Sequence, residues 1–231
     1  DVINDFKLLK FSINKLKKIK KSILKKSDII LVTNKNLAKE FSNIVHSNKI
    51  KVICNGTDFT YLPDEKLNDN FKISYLGSLH KFRDPSVFFN SLKELIQLNR
   101  GIKKKLKLYI AGPINKSILD RLFNDKILSK YLDYKSYISN EKTFSHYVES
   151  SLLLLLSNKD SITQTPSKLF DYASSGRRVL TLGKKNSVLD SLLEELSLDK
   201  RVDYNDKKSI KKIILKSYDD YKRNRKPIKR K

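Results

Sequence analysis

Apolar residues recur at steps of three and four from Phe6 through Leu9, Ile13, Leu16 and Ile19 to Ile23, with lysines on the remaining faces. That spacing predicts a basic amphipathic helix over 6–26. The β-branched run 28–33 predicts a strand, and Thr33-Asn34 offers a cap for a helix carrying Leu37, Ala38 and Phe41. A second strand over 50–54 stops at the turn signal Asn55-Gly56. The polar stretch 57–70, with Pro63 inside it, reads as a linker. Beyond it strands and helices alternate: strand 72–76, helix 86–98, strand 106–111, a helix beginning at 118–123, strand 134–138 and helix 141–149. They continue with strand 152–156, helix 169–175 closed by Gly176, strand 178–182, helix 188–196 and a basic helix 207–222. Strand 152–156 is a continuous apolar run, as when both faces of a sheet are covered. The pattern predicts an α/β chain built on a doubly wound parallel sheet. Three regions follow: 1–60, 71–205 and 206–231, the last ending in a charged tail expected to be disordered.

Composition narrows the function classes. The apolar runs are too short for a transmembrane helix, which takes about 20 residues. The single cysteine, Cys54, excludes an internal disulfide framework and fits a reducing compartment. It lies on an apolar strand and reads as a buried small side chain. The three histidines, 46, 80 and 146, match no metal-ligand spacing. The net charge of +24 invites an anionic partner. Lysine is accompanied by asparagine and isoleucine along the whole chain, however, which equally describes a solvated surface set by compositional bias. No zinc-finger or RNP pattern occurs, and no basic run is interleaved with aromatics, so nucleic acid is not the expected partner. For the helix over 6–26, packing on its own protein and adsorption to anionic lipid both remain open.

Ligands of doubly wound sheets bind at the carboxyl ends of the strands. Three loops fall there. In 77–85, Gly77 lets backbone approach a ligand, and Arg83 can contact a diphosphate. Ala111-Gly112-Pro113 reads as a plain turn. In 160–180 a polar loop leads into a helix near Pro166, with Lys168 in its first turn, where a cation fits best if a phosphate is close. Asp171 lies one turn further on, placed to accept from two ribose hydroxyls.

The run 166–180, Pro-Ser-Lys-Leu-Phe-Asp-Tyr-Ala-Ser-Ser-Gly-Arg-Arg-Val-Leu, resembles the signature of family 4 retaining glycosyltransferases of the GT-B fold. The Gly-Ser-Leu…Arg-Asp-Pro run at 77–85 resembles their phosphate loop. Residues 137–156 and 27–58 are similar to two further blocks of that family, and the match spans roughly 20–200. The resemblance implies a Rossmann-like, nucleotide-sugar-binding domain over 71–205 and a remnant of an N-terminal domain before it. It implies that Asp171 meets the ribose, that Arg83, Lys168 and the backbone of Pro166, Ser167 and Leu169 meet the diphosphate, and that Gly77 and Ser78 let the loop approach. The backbone at Ile138 would meet the base, and Thr163 and Gln164 the sugar. It implies no metal or cofactor beyond the nucleotide-sugar co-substrate. The acceptor would be a glycan or lipid-linked molecule in cell-surface polysaccharide synthesis, in the cytoplasm at the inner face of the membrane. Thr163 stands where the family often has glutamate, Asp171 where it has a longer acid, Ser78 where many members have arginine, and Arg178 where proline is usual. With little counterpart for an N-terminal domain, the chain is expected to be a fragment. Two other readings compete: a basic nucleic-acid-binding module, and a nucleotide-binding remnant without turnover.

Overall fold

The computed structural model describes residues 2–59, 69–80, 83–157, 165–185 and 188–224, with side chains from residue 14 onward. The chain divides into two compact units, one up to Asn55 and one from Gly56.

The first unit holds α1 (Val2–Lys26), β1 (Ile30–Val32), α2 (Lys35–Ser42) and β2 (Ile50–Val52). The two strands pair in parallel, Ile30 opposite Ile50 and Val32 opposite Val52. Asn34 caps α2 as its side chain accepts from the Leu37 amide at 3.0 Å. Leu24, Ile30 and Val32 form a small core with Leu37 and Phe41 against it. Ile29, Leu31 and Ile53 stay exposed on the opposite face of the strands. So do Leu16, Ile19 and Ile23 on α1. Cys54 is exposed, not buried; β2 ends at Val52, so the cysteine lies past the strand that was expected to enclose it.

The second unit is a five-stranded sheet sandwiched between helices. Its elements are β3 (Phe71–Leu76), α3 (Ser86–Leu98), α4 (Arg100–Lys105), β4 (Leu106–Ala111), α5 (Lys116–Phe123), β5 (Leu132–Lys135) and α6 (Asn140–Val148). They continue with β6 (Leu152–Leu156), α7 (Lys168–Ser174), β7 (Arg178–Leu182), α8 (Val188–Glu195) and α9 (Lys207–Lys222). The strands run parallel in the order β5-β4-β3-β6-β7. The chain therefore builds outward from β3 through β4 to β5, then returns to β3's other side. That reversal between β3 and β6 opens a crevice at their carboxyl ends.

The all-leucine strand β6 explains itself in this setting. Leu152, Leu154 and Leu156 enter the core beneath α3, α5 and α9, while Leu153 and Leu155 enter the one beneath α6, α7 and α8. Helix α9 belongs to this unit, since Ile210, Ile214 and Tyr218 are buried in its core. Arg178, in the place of the expected proline, begins β7 and bonds to Asp199 and Asp220. It ties α9 to the sheet at the end away from the crevice. Strand β5 covers 132–135 rather than 134–138, because its register against β4 pairs Leu108 with Leu132 and ends at Ala111 with Lys135. No helix among the described residues is long and apolar enough to cross a membrane.

Candidate functional site

The tips of β3 and β4 meet closely. The Gly77 amide donates to the Ala111 carbonyl at 2.7 Å, and the Gly112 amide to the Lys135 carbonyl at 2.9 Å. Gly112 has φ +124°, a conformation that favours glycine. A Cβ on it would lie 2.6 Å from the Gly77 carbonyl oxygen. A Cβ on Gly77 would lie 2.5 Å from Nζ of Lys168, so the ammonium of α7 rests directly on the end of β3.

A crevice of about 310 Å³ opens above these tips. Leu76, Gly77, Ala111 and Gly112 form its floor. Ser136, Tyr137 and Ile138 from the loop after β5, with Asn140, Thr143 and Tyr147 of α6, form one wall. Ser167, Lys168 and Asp171 form the other. Ala111-Gly112-Pro113, expected to be a plain turn, thus lines the crevice, because the parallel ladder carries all three strand ends to one level.

The charged groups around the crevice act on one another. Burial lowers the pKa of Lys168, and the neighbouring charge of Arg83 pushes it the same way, against a pull from Asp171. Burial raises the pKa of Asp171, and Asp58 adds to that; a hydrogen bond from Thr57 and the charge of Lys168 oppose it. Arg83 reaches the hydroxyl of Tyr75, which itself donates to the Ser78 carbonyl at 2.8 Å. Burial pushes the Tyr75 hydroxyl up to about 12, with Arg83 opposing. Nε of Arg83 is buried with no hydrogen-bond partner among the described residues. Two partly desolvated cations therefore stand close together, and an anion between them would relieve their repulsion and take charge-assisted hydrogen bonds.

Of the residues singled out in the sequence, Gly77, Ile138, Ser167, Lys168 and Asp171 line the crevice. Arg83 does not line it, but sits near enough to act on Lys168. Ser78 and Pro166 lie outside the lining; the carbonyl of the first takes Tyr75 and that of the second takes the Leu169 amide. The Leu169 side chain is core, fully buried, and its amide is engaged by that same bond, so it offers a ligand nothing directly. Thr163 and Gln164 lie outside the described residues, as does most of the 57–70 linker. Helix α7 has only seven residues and begins with a tight turn lacking a side-chain cap, so attraction for an anion rests on side-chain charge rather than on the helix end. The start of α3 is likewise occupied: Asp84 accepts from Ser86 at 2.6 Å and from Arg121 at 2.8 Å. Sequence reasoning missed Tyr75, Thr143 and Tyr147 in this setting, and missed Thr57 beside Asp171. Only the strand-end position of Tyr75, two residues before Gly77, hinted at any of them.

No family model and no curated protein matches the chain. Solved structures do match. A mutant of S. aureus TarM, solved in complex with fondaparinux, alpha-GlcNAc-glycerol and UDP, superposes with a TM-score of 0.67 at 13% identity, over 89% of this chain and 40% of that one. The pneumococcal O-GlcNAc transferase GtfA, in complex with UDP and GlcNAc, gives 0.63 at 15%, over 90% and 41%. WaaG, a glycosyltransferase involved in lipopolysaccharide biosynthesis, gives 0.62 at 12%, over 81% and 52%. The fold is that of GT-B glycosyltransferases. The chain spans about half or less of the length of these structures. In GT-B terms the second unit is the Rossmann-like domain, and its crevice is at the switch point where such sheets hold nucleotides.

Proposed function

We propose that the chain is the donor-binding part of a glycosyltransferase and that the crevice holds a nucleoside diphosphate sugar. One observation carries this reading: the buried cation Lys168 rests on the glycine tip of β3 with Arg83 near enough to act on it, and the Asp171 carboxylate lines the same crevice as Lys168. The diphosphate lies against the two cations and the ribose hydroxyls donate to Asp171. The base lies along the wall at Tyr137 and Ile138. Fixed positive charge of this kind stabilises a departing diphosphate without a metal ion, which supports metal-independent transfer; the retaining stereochemistry of the family 4 type is part of the same proposal. UDP in the TarM and GtfA complexes supports a nucleotide donor.

The acceptor in this proposal is a glycan or lipid-linked molecule in cell-surface polysaccharide synthesis, met in the cytoplasm at the inner face of the membrane. The exposed stripe of Leu16, Ile19 and Ile23, set among the lysines of α1, supports peripheral contact with anionic lipid.

Calorimetric titration of UDP, GDP and ADP into the wild type and Asp171→Ala tests the donor reading. One nucleotide should bind the wild type, and losing the carboxylate should weaken it about tenfold or more. Binding by none of the three would overturn the reading. Tight, steeply salt-dependent binding of RNA or DNA that survives Asp171→Ala would favour a charge-driven nucleic-acid module instead.

A further inference from the structure

The loop that follows β3 is held to the body of the unit mainly by its backbone. The Gly77 amide donates to the Ala111 carbonyl, the Leu79 amide to the Pro113 carbonyl at 3.0 Å, and the Asn115 amide to the Leu79 carbonyl at 2.8 Å. The Leu79 side chain is buried in the core beneath α3. Between these anchors a side chain takes over: the Tyr75 hydroxyl donates to the Ser78 carbonyl at 2.8 Å. The peptide joining Ser78 to Leu79 is thus fastened at both ends, its carbonyl by Tyr75 and its N–H by Pro113. A planar peptide can turn only about its flanking torsions, and two bonds on opposite edges bar that rotation.

Tyr75 is not part of the crevice lining. Its ring is buried in the core on the α3 side of the sheet, whereas the crevice walls come from the α6 and α7 side. The hydroxyl therefore reaches the floor from behind. A Cβ on Gly77 would lie 3.2 Å from the Tyr75 hydroxyl oxygen and 2.5 Å from Nζ of Lys168, so phenol and ammonium converge on the same glycine. Arg83 follows on the same loop, its amide donating to the His80 carbonyl at 2.8 Å. A tyrosine in a close-packed core has two side-chain torsions, both set by its neighbours. Its oxygen is a fixed point from which a turn can be hung.

We propose that Tyr75 is a positioning residue of the crevice: its hydroxyl sets the Ser78–Leu79 peptide, and through it the turn that seats Lys168 and leads to Arg83, in the shape that receives a diphosphate. The proposal rests on the nucleotide reading of the crevice. It makes Tyr75 a determinant of how strongly a nucleoside diphosphate is preferred over the monophosphate.

The test is Tyr75→Phe, which removes the single oxygen and keeps the ring. Tyr221→Phe is the control, since its hydroxyl donates to the Asp69 carbonyl at 2.6 Å just before β3, at the end of the strand away from the crevice. Affinities for UDP and UMP, and for GDP and GMP, are measured by calorimetry on both variants, on Lys168→Met and on the wild type. Tyr75→Phe should weaken the diphosphate about fivefold and the monophosphate less, so that the preference narrows. Tyr221→Phe should keep the wild-type ratio. Equal weakening of diphosphate and monophosphate by Tyr75→Phe would mark a merely structural contact and overturn the proposal. So would a Tyr75→Phe protein that binds like the wild type while Lys168→Met is defective, an outcome that leaves the nucleotide reading intact. A Tyr75→Phe chain that does not fold would overturn it as well, because the hydroxyl would then serve the core and not the turn. If the wild type binds none of the four nucleotides, both fall together.

Discussion

Replacing Gly112 by alanine tests the geometry that creates the crevice. The new Cβ would sit 2.6 Å from the Gly77 carbonyl oxygen and 2.8 Å from its carbonyl carbon, both backbone atoms that cannot swing aside. The alanine would also have to hold φ +124°, a strain of about 1–3 kcal/mol. Relieving the overlap means parting the tips of β3 and β4, which loosens the 2.7 Å bond from Gly77 to Ala111, a loss of about 1 kcal/mol. The sum is about 2–4 kcal/mol, which for a chain of this size lowers Tm by roughly 5–15 °C. Thermal unfolding followed by circular dichroism reads this directly. Gly56→Ala is the control: a Cβ there meets nothing within 4 Å, and its melting should match the wild type. A Gly112→Ala protein melting within about 2 °C of wild type would show that the strand tips are not packed as described.

Three further outcomes follow from the charges. Lys168→Met should raise Tm in the absence of ligand, because burial and Arg83 both disfavour the ammonium; the same variant should lose most diphosphate affinity, and a lower Tm would contradict the account. Asp171 has a raised pKa from burial, so the folded state holds its proton more tightly than the unfolded one. Its contribution to the stability of the free protein should therefore grow as pH falls through the raised value toward the ordinary carboxylate range, while nucleotide affinity falls over that window; calorimetry from about pH 4 to about pH 7 checks both signs. Arg178→Met should cost about 1.5–3 kcal/mol by removing the charge-assisted hydrogen bonds that the guanidinium gives Asp199 and Asp220. Its nucleotide affinity should not change, since β7 begins at the far end of the sheet.

Much of the second unit was legible because its signals are local. The alternation of strand and helix set the sheet, and a run such as Leu152–Leu156 has little to do but fill two cores at once. Gly176, read as a helix stop, has φ +69° directly after α7. Features fixed by partners distant in sequence were not legible. The span 132–138 carries an equally good strand pattern in two registers, and only pairing with β4 ends it at Lys135, freeing Tyr137 and Ile138 for the crevice. The short helix α4 contains Gly101 and follows α3 after a single residue, Asn99, whose side chain caps it. In the candidate site, Gly77, Lys168 and Asp171 were found because strand ends and a helix start mark them, whereas Tyr147 looked like any aromatic on a helix.

Amide chemical-shift mapping bears most directly on the central claim. With UDP or GDP added to isotope-labelled protein, the largest shifts should fall on Gly77, Gly112, Ile138, Lys168 and Asp171, at the carboxyl ends of β3 and β4 and the start of α7. Shifts confined to the lysine-rich surfaces of α1 or α9, or no shifts with any nucleoside diphosphate, would contradict a donor site at the switch point of the sheet.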